Sequence, residues 1–191
     1  YYLKIVSDEV KRLSRLVTSM LNLSKLEAGE IEIKKQAVNI PRTVLSVAIQ
    51  LENQISDKDI TMEGLDSLEP TAVVADRDLM YQVVFNLMDN AIKYTPAGGR
   101  VIVKTENSQE GLSSLTITNT GVGIPEKDLP RLFDRFYRVD KARSRESGGT
   151  GLGLSIAQEI LNQHKGSIEI SSEYGKGTSV LITMPAAEAQ A

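Results

Sequence analysis

Apolar residues recur at Val6, Val10, Leu13, Val17 and Met20, with Leu16 and Leu23 beside them, while Lys, Arg, Asp and Glu fill the positions between. The alternating steps of four and three trace one stripe of a helix with heptad-like spacing over residues 1–28. Gly29 supplies its stop. A single helix cannot bury such a stripe, so the pattern predicts a partner helix, in a bundle.

From residue 30 the pattern changes. Ile31-Glu32-Ile33-Lys34 alternates as a short strand, and Pro41 sits in the first turn of a helix predicted to reach Ile55. Short strands are predicted at 60–62 and 72–75. Asp76 is placed to cap a helix that runs to Tyr94, where Pro96-Ala97-Gly98-Gly99 breaks it. Strands at 101–106 and 115–119 follow, then a glycine-punctuated, arginine-rich stretch from Thr120 to Gly149. A helix over 152–163 leads into closing strands at 167–171 and 179–184, and the tail 186–191 is expected to fray. Helices and strands alternate, but the closing strands run back to back, so the sheet should be mixed. The expected fold is α/β, a two-layer sandwich of a mixed β-sheet and about three helices, preceded by one long helix.

Composition narrows the classes. The chain has 191 residues, a net charge of −3 and no cysteine. There is no basic surplus to recommend a nucleic-acid partner, and no disulfide, thiolate metal site or cysteine nucleophile is available. No apolar run approaches the ~18 residues of a membrane span. The chain opens on Tyr1-Tyr2-Leu3, already inside the helical pattern, which reads as a piece of something longer.

The helix after Asp76 carries the first chemistry. Met80, Val83, Val84, Leu87 and Ala91 form its apolar stripe. At ~100° per residue, Asn86, Asn90 and Lys93 fall within about 60° of one another on a different face. Asparagine is a poor residue for a helix interior. Two of them a turn apart, with a lysine beyond, offer amide oxygens and a cation, which suits a metal–phosphate group. On this helix alone, a solvated polar face reads equally well.

Three glycine clusters tip the balance. Asn119-Thr120-Gly121-Val122-Gly123-Ile124 follows a strand, Gly148-Gly149-Thr150-Gly151-Leu152-Gly153 opens a helix, and Gly175-Lys176-Gly177-Thr178 joins the last two strands. A glycine-rich helix N-terminus turns backbone N–H groups and a positive dipole end toward an anion. No G-x-x-x-x-G-K-[ST] occurs, and G-x-G-x-x-G does not follow a strand, so P-loop and dinucleotide-binding readings fail.

These segments resemble the boxes of bacterial sensor histidine kinases. Asn86-Leu87-Met88-Asp89-Asn90-Ala91-Ile92-Lys93-Tyr94 is similar to their N box, and Leu132-Phe133-Asp134-Arg135-Phe136-Tyr137-Arg138 to their F box. The three glycine clusters resemble their three glycine boxes, in the same order. Leu23-Ser24-Lys25-Leu26-Glu27-Ala28-Gly29 looks like the end of the second helix of the dimerisation and histidine-phosphotransfer hairpin.

The resemblance implies the ATP-binding sandwich shared with gyrase-type and mismatch-repair ATPases. It divides the chain into a truncated hairpin helix (1–29), a catalytic domain (30–185) and a tail (186–191). It assigns Asn90 to Mg2+, Asn86 and Lys93 to the phosphates, and Tyr94 and Asn119 to the adenine of ATP. Gly121, Gly123, Ile124, Phe133, Tyr137, Gly149, Thr150, Gly151, Leu152, Gly153, Leu154 and Thr178 complete the implied nucleotide site. Residues 126–149 become a mobile ATP lid. From Arg131 to Glu146 that lid holds six basic residues (Arg131, Arg135, Arg138, Lys141, Arg143, Arg145) against three acidic ones. Arg138 is the candidate γ-phosphate contact, since a guanidinium fork stabilises a transferring phosphoryl group.

The implied activity is ATP-dependent phosphorylation of a histidine, for relay to a response-regulator aspartate. The partners would be the chain's own histidine-bearing hairpin, in a homodimer, and a receiver domain, with no nucleic acid and no membrane contact by this segment. The place would be the cytoplasmic part of a membrane-anchored sensor. Three departures stand out. The only histidine is His164, at a helix end, so no phosphoacceptor motif is present. Asn119 stands where the first glycine box usually opens with Asp. Asn86 stands where hydrolysing members carry a glutamate base, which favours transfer to a protein over transfer to water. Two rivals share the nucleotide boxes. One is a serine kinase of the anti-sigma type, against which the heptad-like helix argues; the other is an ATP-responsive pseudokinase scaffold, which Asn119 keeps open.

Overall fold

A computed structural model of the chain describes residues 2–139 and 150–187. It opens on helix α1 (Tyr2–Glu27), whose last turn sends Leu23 and Leu26 into the core. The stripe further back finds no cover among the described residues, since Val10, Leu13, Val17 and Met20 are each more than half exposed.

The alternation predicted as a strand at Ile31–Lys34 is present as alternating burial, but no strand forms there. Lys34 N–H instead donates to Asp76 Oδ2 at 2.9 Å, and the ladder opens one residue later with Lys35 opposite Asp76. Strand β1 (Lys35–Asn39) therefore pairs antiparallel with β3 (Ala72–Asp76) in a separate two-stranded sheet.

Helix α2 (Ile40–Gln50) begins at Pro41 as expected, with Asn39 Oδ1 accepting from Arg42 N at 2.8 Å as its N-cap. It does not continue to Ile55. Leu51 leaves the helical region at φ −96°, ψ 6° and drops into the core, and a second helix α3 (Glu52–Asp57) starts beyond it. The chain then enters the short strand β2 (Thr61–Glu63).

Five strands form the main sheet in the order β2, β4 (Arg100–Asn107), β5 (Leu112–Asn119), β7 (Gly177–Pro185), β6 (Ser167–Glu173). Only β2 and β4 run parallel, so the sheet is mixed. One face, carrying Val101, Val103, Leu115, Ile117, Ile182 and Met184, packs under α2, α4 (Arg77–Tyr94) and α5 (Gly153–Gln163). The sequence expectation of a two-layer α/β sandwich with a long leading helix describes this arrangement.

The first two residues of the expected tail are held by hydrogen bonds. Ala186 N donates to Gly111 O at 2.9 Å and Ala187 N to Ala72 O at 2.8 Å, which laces the chain end to the β4–β5 turn and to β3. Residues 188–191 lie outside the described residues, as do 140–149.

Asp76 joins these pieces. Its Oδ1 caps α4 by accepting from Asp78 N at 3.0 Å and Leu79 N at 3.2 Å, and its Oδ2 takes Lys34 N. Burial pushes the carboxyl up, but the N–H donors of Lys34, Leu79 and Asp78, with His164 nearby, outweigh it and hold the group below its ordinary value. A depressed carboxyl contributes stability that is present above its unfolded pKa near ~3.9 and lost as pH falls through the folded value. Asp76→Ala should therefore cost about 1–2 kcal/mol near pH 7, the range for losing an N-cap. Urea unfolding of both proteins at pH 7 and at about pH 3 should show that gap narrowing in acid; a gap independent of pH would contradict the assignment.

Candidate active site

The face of α4 opposite its buried stripe turns toward the start of α5. Asn86, Asn90 and Lys93 are all half-buried along it. Asn86 Nδ2 donates to Gly153 O at 3.1 Å, which fixes the first turn of α5 against the middle of α4. Among the described residues no side chain caps that helix end; Leu152 occupies the cap position with its side chain in the core. The N–H groups of Gly153 and Leu154 thus have no side-chain capping partner among the described residues, next to Asn86. Leu154 itself packs against the core, and Thr150 Oγ1 accepts from Leu152 N at 3.3 Å, shaping the turn. Gly149, and the lid residues Lys141, Arg143 and Arg145, lie outside the described residues.

Asn90 has no hydrogen-bond partner among the described residues, so its amide oxygen is open. Among the described residues no three His, Cys, Asp or Glu side chains converge. A cation held here would draw its remaining ligands from phosphate oxygens and water, which is magnesium's habit. The donor set fits Mg2+ bound together with a triphosphate.

Tyr94 ends α4 with its ring 48% exposed. Burial of its hydroxyl raises the phenol above its ordinary value, Arg138 pulls it down and Asp89 adds to the rise. Arg138 therefore lies within electrostatic reach of Tyr94, and brings the F box to the end of the N box. Lys93 and Arg138 both have interaction partners in the chain.

Asn119 ends β5 and is buried to 6% exposure. Oriented so that both of its polar atoms are satisfied, its amide oxygen accepts from Gly121 N and its nitrogen donates to Thr178 O, each at 3.2 Å. The amide thus bridges the first and third glycine clusters. A carboxylate at this position could take Gly121 N–H but has nothing to donate to Thr178, which gives the departure from Asp a structural reason.

The two clusters are bolted together a second time by Ser172, on β6. Its Oγ accepts from Ile124 N at 2.8 Å and donates to Gly177 O at 2.6 Å, with Thr178 Oγ1 2.9 Å away. Gly123 sits there at φ +68°, and a Cβ on it would stand 2.2 Å from Glu173 O. Glycine is required by both the backbone hand and the space. Sequence reasoning missed Ser172, because a serine in a Ser-Ser pair on a strand carries no local mark of its hydrogen bonds.

The F box follows β5 and the first glycine cluster. A 3-10 turn (Glu126–Arg131) precedes it, and Tyr137 OH donates to Asp128 Oδ1 at 2.7 Å while the Arg131 guanidinium lies 4.2 Å over the Tyr137 ring. Phe133 is half-buried. Phe136 N donates to Gly151 O at 3.0 Å, so the F box is hydrogen-bonded to the second glycine cluster. Arg135 pairs with Glu27 in the last turn of α1.

His164 is 2% exposed at the end of α5, its Nε2 accepting from Asp76 N at 3.0 Å and its Nδ1 bonded to Ile160 O at 2.7 Å. It is a helix-end residue, as expected, but a buried one that ties α5 to the start of α4.

The model of the family described as histidine kinase-, DNA gyrase B-, and HSP90-like ATPase matches residues 75–188, the span from Asp76 through the three glycine clusters to β7. The chain belongs to this ATPase family. The sensor histidine kinase WalK of Bacillus subtilis (strain 168) is 38% identical over 99% of the chain, which spans only 31% of WalK. Among solved structures, the Acinetobacter baumannii histidine kinase AdeS shares 26% identity with a TM-score of 0.77, over 96% of this chain and 83% of that one. Full-length ShkA, solved in complex with AMPPNP, superposes with a TM-score of 0.82 over 100% of this chain and 39% of that one, at 24% identity, which speaks to the fold. Among the described residues of this family member, no helix is long and apolar enough to cross a membrane.

Proposed function

We propose that the chain is the ATP-binding catalytic part of a sensor histidine kinase, taking Mg·ATP between α4 and the start of α5 and passing its γ-phosphoryl group to a histidine on a helical hairpin. The observation that carries this reading is the uncapped N-terminus of α5 held against Asn86. The relatives matched over nearly the whole chain carry sensor-kinase names, and the structural neighbour ShkA was solved with an ATP analogue.

Each residue then has a task. The ring of Tyr94 packs on the adenine, and the second lone pair of the Asn119 oxygen accepts from the exocyclic amine. Gly121, Gly123, Ile124 and Thr178 line the base pocket, which Ser172 holds closed from behind. The N–H groups at Thr150, Gly151, Gly153 and Leu154 face the phosphates, Leu152 shapes the turn that presents them, and Lys93 and Asn86 neutralise and orient the phosphates. Mg2+ held through Asn90 would offset charge on the phosphate oxygens. Phe133 and Tyr137 anchor the lid base, and Arg138 reaches the γ-phosphate. The histidine ring nitrogen attacks the γ-phosphorus as the bond to the bridging oxygen breaks, and ADP departs with that electron pair. Positioning and charge compensation carry the step, as in other phosphoryl transfers.

The exposed stripe on α1 supports the rest of the proposal. Residues 1–29 would form the second helix of a dimerisation hairpin, and 30–185 the catalytic domain. The hairpin supplies the acceptor, a receiver domain of a response regulator takes the phosphate onward, and the whole would stand on the cytoplasmic side of a membrane-anchored sensor.

Asn90→Ala should weaken ATP by a factor of about 10–100 in magnesium, the range for a contact assisted by charge. In EDTA the two proteins should bind ATP alike. Calorimetric titration under both conditions reads this out, and undiminished affinity of Asn90→Ala in magnesium would remove Asn90 from the metal.

A further inference from the structure

The last turn of α4 ends beside the adenine pocket, where its free carbonyls would be expected to meet water. Most of them do not. Ala91 O accepts from Thr95 N at 3.1 Å and from Thr95 Oγ1 at 2.6 Å. Ile92 O, Lys93 O and Thr95 O converge on one ammonium, that of Lys58, at 3.0, 2.7 and 3.1 Å. The remaining carbonyl, of Tyr94, faces Gly121 so closely that a Cβ there would stand 2.4 Å away.

Lys58 is itself held in place. It follows α3, its own carbonyl accepts from Gly98 N at 2.9 Å, and Thr61 N, three residues on, donates to Gly99 O at 2.9 Å. The α3–β2 corner and the turn after α4 are thus zipped together on both sides of the ammonium. Burial lowers the Lys58 pKa while Asp89, one turn back on α4, opposes that shift. Three donors on three carbonyls use the whole hydrogen-bonding capacity of a lysine, and a positive charge at a helix C-terminus suits the dipole.

We infer that Lys58 is a positioning residue for nucleotide binding: it clamps the last turn of α4 and so fixes where Tyr94 and Lys93 stand relative to Gly121 and the adenine pocket. The inference rests on the ATP reading above. Lys58 does not touch nucleotide; it acts through the backbone of Ile92, Lys93 and Thr95. Without its ammonium Lys93 O and Thr95 O lose this donor and Ile92 O keeps only the longer 3.3 Å bond from Thr95 N, so the turn loosens, and the ring and ammonium it carries lose their common placement.

The test measures Mg·ATP and Mg·ADP dissociation constants for wild type, Lys58→Met and Lys58→Arg, at a temperature where circular dichroism shows each folded. Lys58→Met keeps the stem and removes the donors, and should weaken both nucleotides by roughly tenfold. Lys58→Arg keeps a charged fork of donors and should return to within about threefold of wild type. A role confined to stability would lower the melting temperature but leave both constants unchanged, and that result overturns the inference. Should Lys58→Met fail to fold, Lys58→Gln replaces it, with two donors for three carbonyls; wild-type affinity in that variant is equally fatal. A wild type that binds neither nucleotide overturns the ATP reading itself, whereas wild-type binding matched by the folded variants overturns only the role of Lys58.

Discussion

Incubated with γ-labelled ATP, this chain alone will stay unlabelled, and a supplied helical hairpin carrying a histidine will take up acid-labile phosphate. The first half follows from where the chain's one histidine sits. His164 is buried, with Asp76 N on one ring nitrogen and Ile160 O at the other, so neither nitrogen is open to attack phosphorus. It also ends the helix whose opposite end is the proposed phosphate site. Eleven residues of helix separate it from Gly153, which at 1.5 Å per residue is ~16 Å. In-line transfer needs the reacting atoms within roughly 3–3.5 Å. The second half follows from the Asn86–Gly153 contact and the exposed stripe of Val10, Leu13, Val17 and Met20, on which a hairpin helix would seat. Acid treatment of the same gel separates phosphohistidine from phosphoserine, and so from the serine-kinase rival. Label on the chain itself that disappears in His164→Ala would overturn the reading outright.

Gly123→Ala should be among the most damaging small substitutions at the described glycines. Two independent costs fall on it. A left-handed backbone costs an L-residue roughly 1–2 kcal/mol, and forcing a methyl group into occupied space costs roughly 1–3 more. Here the space is occupied by backbone, since the new Cβ would lie 2.2 Å from Glu173 O and 2.9 Å from Tyr174 Cα. A loss of about 3 kcal/mol corresponds to about 6–12 °C in melting temperature for a domain of this size. Gly98→Ala is the control, because Gly98 has φ +73° but nothing within 4 Å of its missing Cβ. It should lose only the backbone share, about 1 kcal/mol. Equal losses in the two variants would show that the approach of Glu173 is not what demands glycine.

The sequence made some of this visible and hid the rest for physical reasons. Periodicity found the α4 stripe, and every member of it (Met80, Val83, Val84, Leu87, Ala91) is buried, because a long helix on a sheet leaves one face dry. Asp76 was legible as a cap because capping is decided within three residues. The strand expected at Ile31–Lys34 failed because alternation reports sidedness but not a partner; Asp76, more than forty positions away, claims the Lys34 amide. Likewise nothing local distinguishes Leu51 from a helix interior, yet the core draws it in and breaks the helix. Among site residues, Asn86, Asn90, Asn119 and the glycines announced themselves as residue types that cost stability where they stand. Lys58 and Ser172 did not. A lysine between two aspartates and a serine beside a serine are unremarkable until the turn after α4 and the third glycine cluster fold against them.

The pairing of β5 with β7 sets the order in which the site can come into being. Asn119 stands opposite Thr178 in that ladder, yet the lid, α5 and β6 all lie between them along the chain. Closing so long a loop carries an entropic cost that is recovered only once the intervening elements are docked, so this pairing belongs to the late side of the folding barrier. The proposed adenine pocket, built from both ends of the loop, is therefore completed late in folding. Nucleotide then has nothing to grip in the unfolded chain or in an early nucleus; its binding slows unfolding and leaves the folding rate alone.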